Sequence, residues 1–203
     1  MKKYSIYQEI AAGAAAAMLL LFVGCEKEDT EPAVSVNTIS VAEEIANGVS
    51  QNVIPAEALE YYALDYKIPE GFVRTPDSTS TLDIYSSEQP GDYSYITYMR
   101  LENDGSTDYA NLTDADYKTS LDAALSVNTL IQGVEKTQGD GNLHVKVRFT
   151  YSGEHGKLEA AEHIFITDKY IFEMVYTRDS GSDWTKAFAD SEATLKLINV
   201  AQQ

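Results

Sequence analysis

The chain has 203 residues, 15 of them Lys or Arg and 32 Asp or Glu, for a formal net charge of −17. That balance excludes a nucleic-acid binder, because each phosphate contact needs a local cation and this surface repels a polyanion. The length allows one ordinary domain with a tail, and a hydrophobic fraction of 44% supports a packed core. A single cysteine leaves no internal disulfide.

The chain opens Met1-Lys2-Lys3, and a small or apolar run extends from Ile10 through Gly24. As a helix, that run covers about 22 Å at about 1.5 Å per residue, short of a bilayer core of about 30 Å. Residues 1–24 therefore fit a signal peptide better than a membrane span. Cys25 follows Gly24 directly and resembles a bacterial lipobox, in which the cysteine thiol takes a diacylglycerol and a peptidase cuts before it. Phe22 stands where such motifs usually carry Leu. Residues 25–33 then form an acidic tether, Glu26-Lys27-Glu28-Asp29-Thr30-Glu31-Pro32, in which Lys followed by two acids is similar to the export signal of Bacteroidetes-type surface lipoproteins. These resemblances imply lipid attachment at Cys25 and a place at the outer membrane, on its outer face or alternatively its periplasmic face. Several acyl chains, each buried CH₂ contributing about 0.8 kcal/mol, would make that anchor effectively permanent.

Residues 34–203 read as a single α+β domain. Ser40-Val41-Ala42-Glu43 has the spacing of a capping box and predicts a short helix from Val41 to about Gly48. Residues 55–62 are ambiguous between helix and strand, and the alternation of Tyr62, Leu64, Tyr66 and Ile68 favours a strand up to the break at Pro69-Glu70-Gly71. Two strands are predicted next, at Thr81 to Tyr85 and at Tyr93 to Leu101. A helix starts near Thr113 or Asp114, carries Tyr117, Leu121, Ala124, Leu125 and Ile131 on one face, and closes at Gly133. After a turn at residues 138–142 comes the clearest β pattern. Leu143, Val145, Val147, Phe149 and Tyr151 alternate with His144, Lys146, Arg148 and Thr150. Return strands cover Leu158 to Ile166 and Tyr170 to Thr177, with connections too short for parallel crossovers. A last helix from Asp183 is expected to carry Trp184, Phe188, Ser191, Leu195 and Ile198 on its buried stripe.

Pro69-Glu70-Gly71-Phe72 ahead of the first hairpin and the aromatic-led final helix (Trp184, Phe188) resemble the PsbP-like family over roughly Tyr61 to Val200. The resemblance implies an α/β/α sandwich around a mostly antiparallel sheet, in an accessory or binding protein without a shared catalytic centre. It carries no functional residues over.

Residues with chemistry are few. No serine sits in Gly-x-Ser-x-Gly, and His144, His155 and His163 lack the helical spacing of a zinc protease. His144 and His163 become neighbours if their strands pair, but two imidazoles without a third ligand make a weak zinc site, so no metal or cofactor is expected. The turn Asp179-Ser180-Gly181-Ser182-Asp183 lacks full EF-hand spacing and reads as a helix cap. His144, Lys146 and Arg148 share one face of one strand and form a candidate site for a carboxylate or sulfated ligand. The competing reading is cross-strand pairing with Glu159 or Glu162. Tyr93, Tyr95 and Tyr98 are candidate stacking platforms for sugar rings, although strand tyrosines are more often packing residues. The expected function is a lipid-anchored envelope protein without catalytic activity, with an outer-membrane protein or a glycan as partner. A hydrolase of surface polymers is the alternative, and two carboxylates flanking a deep cleft would mark it.

Overall fold

The computed structural model describes residues 62–199, apart from Ser80 and Asp140. Cys25, the tether and the helix expected at Val41–Gly48 lie outside the described residues. Among the described residues nine strands and two helices follow in order: β1 (Tyr62–Asp65), β2 (Phe72–Arg74), β3 (Leu82–Ser87), β4 (Tyr95–Glu102), α1 (Asp114–Leu125), β5 (Leu130–Gly139), β6 (Asn142–Gly153), β7 (Gly156–Ile166), β8 (Tyr170–Asp179), α2 (Thr185–Glu192) and β9 (Lys196–Asn199).

Seven strands form one antiparallel sheet in the order β2-β3-β4-β8-β7-β6-β5, and β1 pairs separately with β9. The chain leaves the middle of the sheet after β4, crosses with α1 to the far edge, and walks back strand by strand until β8 lies beside β4. Tight hairpins set that walk, with Gly139 opposite Asn142 and Gly153 opposite Gly156. Period-2 alternation then sends successive side chains to opposite faces. Val145, Val147, Phe149, Leu158, Ile164 and Val175 pack beneath α1. Phe165, Phe172, Met174 and Tyr176 pack on the other side against Phe188 of α2 and Leu64 of β1.

Thr113 resolves the start of α1. Its hydroxyl accepts from the Asp116 amide while the Asp116 side chain accepts from the Thr113 amide, a complete capping box. The expected extension of this helix to Gly133 is wrong. Ser126 turns left-handed at φ 54°, and Asp122 accepts from the amide and hydroxyl of Thr129 at 2.7 and 2.6 Å, which seals the helix end. Leu130–Gly139 is an edge strand instead, bulged between Ile131 and Gly133 and mostly exposed, so its apolar residues follow neither period cleanly. The expected stripe on the last helix also overruns. Leu195 and Ile198 lie beyond α2, and Ile198 belongs to β9 opposite Ala63.

The two stretches that carried the family resemblance meet in space. Gly71 adopts φ +89°, and a Cβ there would stand 2.9 Å from the Trp184 ring. Only glycine satisfies both conditions. Phe72 then packs edge-on to Trp184 at 4.8 Å and against Phe188 at 5.3 Å between ring centroids. Trp184 stands at the N-cap of α2 and donates its indole N–H to the Asp92 carboxylate. The Asp179–Asp183 turn makes local bonds, Gly181 amide to Asp179 and Ser182 hydroxyl to the Asp179 carbonyl, and does not cap α2.

Candidate functional site

His144, Lys146 and Arg148 do share one face of β6, the face turned to α2. Their partners differ from the expected ones. Arg148 pairs with Glu135 of the adjacent edge strand, and Lys146 reaches across to Glu192 at the end of α2. Glu159 pairs with Arg178. Glu162 stands opposite Val147 in the register and so shares that residue's face, the one turned to α1. It cannot meet the basic stripe.

Register also joins two histidines. Lys146 lies opposite His163 and His144 opposite Phe165, which makes the imidazoles diagonal neighbours. His144 Nε2 lies 3.1 Å from His163 Nδ1, and His163 Nε2 lies 3.1 Å from Glu192 Oε2. The direction of the His144–His163 bond follows the tautomer: with the proton on His163 Nε2 facing the carboxylate, Nδ1 accepts from the Nε2–H of His144. The His144 ring also stacks on Phe165 at 4.1 Å. Burial, followed by His163 and the Lys146 charge, pushes the His144 imidazole down to about 4. Burial raises the Glu192 carboxyl, but the bonds from His163 and Lys146 outweigh it and hold the group below the usual range.

The result is a chain, His144–His163–Glu192–Lys146, that clamps α2 onto β6 and β7. No serine, threonine or cysteine is bonded to its imidazoles among the described residues. Nor do three His, Cys, Asp or Glu side chains converge on a metal position among those residues.

The three tyrosines do not make one platform. Tyr95 is 3% exposed and bonds through its hydroxyl to the Tyr151 hydroxyl at 2.8 Å beneath α1, so it cannot meet a sugar. Tyr98 points to the opposite face and packs on Tyr66 at 4.9 Å, and Tyr93 stacks on His155 at 3.8 Å at the end of the sheet. Sequence reasoning missed a second cluster. Glu162 and Glu173 lie side by side under α1, each in phase with apolar neighbours: Leu158, Ala160 and Ile164 for Glu162, Ile171 and Val175 for Glu173. That phase was the available signal.

No family model and no curated protein matches this chain. Among solved structures, the cyanobacterial PsbP of Synechocystis is similar with a TM-score of 0.52 at 9% identity, covering 74% of this chain and 98% of that one. LpqN of Mycobacterium tuberculosis, described as involved in cell envelope biogenesis, gives 0.41 at 15% identity over 77% of this chain and 94% of its own. The Ran-binding protein Mog1p of Saccharomyces cerevisiae gives 0.41 at 9% identity over 68% and 82%. The antiparallel sheet with helices on both faces, and its match to cyanobacterial PsbP, give this chain a PsbP-like α+β fold.

Proposed function

We propose that this protein is a lipid-anchored binding or accessory component of the cell envelope, without catalytic activity, displayed on the outer face of the outer membrane. The observation that carries the reading is Cys25, placed directly after the apolar run 10–24 and directly before an acidic tether. Among the described residues no helix is long and apolar enough to cross a membrane; in this reading the lipid on Cys25 supplies the attachment. The titratable groups of the α2 face support the non-catalytic part, because they are spent on holding the helix. The two carboxyls that do come together, Glu162 and Glu173, are diagonal neighbours buried under a helix. Glycoside cleavage instead needs two carboxyls flanking a cleft open to substrate.

Labelling of cells with a radioactive fatty acid, followed by protease shaving, tests this. The wild-type chain should take up label and lose its domain to protease on intact cells, and Cys25→Ser should abolish the label. An unlabelled wild-type chain would overturn the anchor. A labelled chain that survives shaving would move it to the periplasmic face. A pull-down of the lipidated protein from detergent-solubilised membranes then identifies an outer-membrane partner.

A further inference from the structure

The sheet face beneath α1 carries two acids among apolar residues. In the register Glu162 of β7 lies opposite Val175 and Ile164 lies opposite Glu173 of β8, so the carboxyls are diagonal neighbours on one face. Glu162 is 1% exposed and Glu173 4%. Neither oxygen of Glu162 receives a bond from an N–H or hydroxyl among the described residues. The polar group it meets is the Glu173 carboxyl, and two carboxyls bond only when one keeps a proton. Glu162 also lines a cavity of about 10 Å³ with Tyr95, Thr97, Leu121 and Tyr151, space for about one water.

Among the described residues, the surroundings supply no counter-charge to this pair. Tyr109, ahead of α1, and Tyr117 of α1 face it with phenols, and burial pushes both of them up. Asp104 and Asp116 add negative charge near those phenols. Lys136 of β5 reaches this side, but its ammonium sits 5.7 Å from the Tyr117 ring centroid and is bonded to the carbonyls of Ala110 and Leu112. From β4 come Thr97 and Met99, and from β6 Val145 and Val147, none of them charged. Two ionised carboxylates cannot rest in contact at such a place. The cover above them is the segment from Tyr109 through α1, packed by Tyr109, Tyr117, Leu121, Ala124 and Leu125.

We propose that Glu162 and Glu173 form a proton-operated latch, which holds the Tyr109–Leu125 cover while they share a proton and drives that cover off the sheet when the last proton passes to water. Burial pushes the Glu162 carboxyl up to about 7, and burial and then the Glu162 charge hold Glu173 well above the ordinary range. Both groups are thus raised above their unfolded value, so the folded state holds the extra protons. Stability is largest below the ordinary value of 4.5 and falls as pH rises through about 7 and beyond.

Carboxyl-carbon NMR titration of the full chain, with hydrogen exchange corrected for intrinsic rates between about pH 5 and pH 9, tests the latch. Both carboxyls should titrate above about pH 6. Protection of the α1 amides should fall by up to about tenfold per pH unit for each linked proton, while amides of β7, β8 and α2 stay protected. The Glu162→Gln/Glu173→Gln double variant should keep α1 protected across the range. Titration of both carboxyls below about pH 5 in the wild-type chain would overturn the latch, and that reading needs no variant to fold. So would α1 protection that ignores pH, or the same loss in the double variant.

Discussion

On the α2 side of the sheet the Glu192 carboxylate meets an ammonium and an imidazole, whereas on the α1 side Glu162 and Glu173 find no cation among the described residues, and each meets the other's carboxyl. Both sites are buried wholly or in part, and both place ionisable groups under a helix. The difference is where the counter-charge comes from. Lys146 sits on the face whose helix ends in an acid, so burial of Glu192 is offset by paired charge and by its contact with His163, and the chain becomes a clamp. The α1 face offers phenols and apolar carbons, so burial is offset only by retaining protons. One sheet thus carries two opposite pH dependences. His144, pushed down to about 4, costs stability as pH falls from its ordinary 6.5, because the unfolded chain then binds the proton first. The acid pair costs stability as pH rises.

The comparison is most severely tested by cutting one residue from each layer. Leu121→Ala under α1 should cost about 2–5 kcal/mol, and Phe188→Ala on α2 about 3–5 kcal/mol. The sheet separates them, so urea denaturation of the double variant should show the two losses adding within about 0.5 kcal/mol. A larger coupling would mean that the faces do not act as separate layers. Gly71→Ala comes next. It combines a left-handed backbone with a Cβ 2.9 Å from the Trp184 ring, and should cost about 1–3 kcal/mol. Trp184 fluorescence should change, while exchange of α1 amides should not. The smallest effects compare two cations of one stripe. Lys146→Met should cost about 1–2 kcal/mol by leaving Glu192 short of a partner, and imidazole NMR should show the His144 pKa rising from about 4 once the neighbouring charge is gone. Arg148→Gln, whose pair with Glu135 lies in solvent, should cost at most about 1 kcal/mol. Equal losses at the two positions would erase the distinction between clamp and surface pair.

Much of the architecture was legible because it is local. The alternation of Leu143 to Tyr151 marked β6, and the short connections on either side of β7 required antiparallel neighbours. Thr113 with Asp116 marked the start of α1. Leu130–Gly139 failed because an edge strand with a bulge keeps no clean period, and Ile131 happened to fall in phase with the helix before it. The end of α2 failed for a related reason. Leu195 and Ile198 continue a helical spacing, but β1, far away in the chain, captures Lys196–Asn199 as a strand.

The candidate site was half legible. Two-residue spacing put His144, Lys146 and Arg148 on one face, and the sequence by itself also determined the acidic surface, the place of Cys25 and the order of the β6–β8 meander. Only the tertiary structure decided which acid each cation meets and on which face each glutamate falls. A one-residue change of register moves a side chain across the sheet, and the partner of Lys146 arrives on a helix 46 positions along the chain. Charge pairing and carboxyl contact depend on those distances, which composition and period leave open.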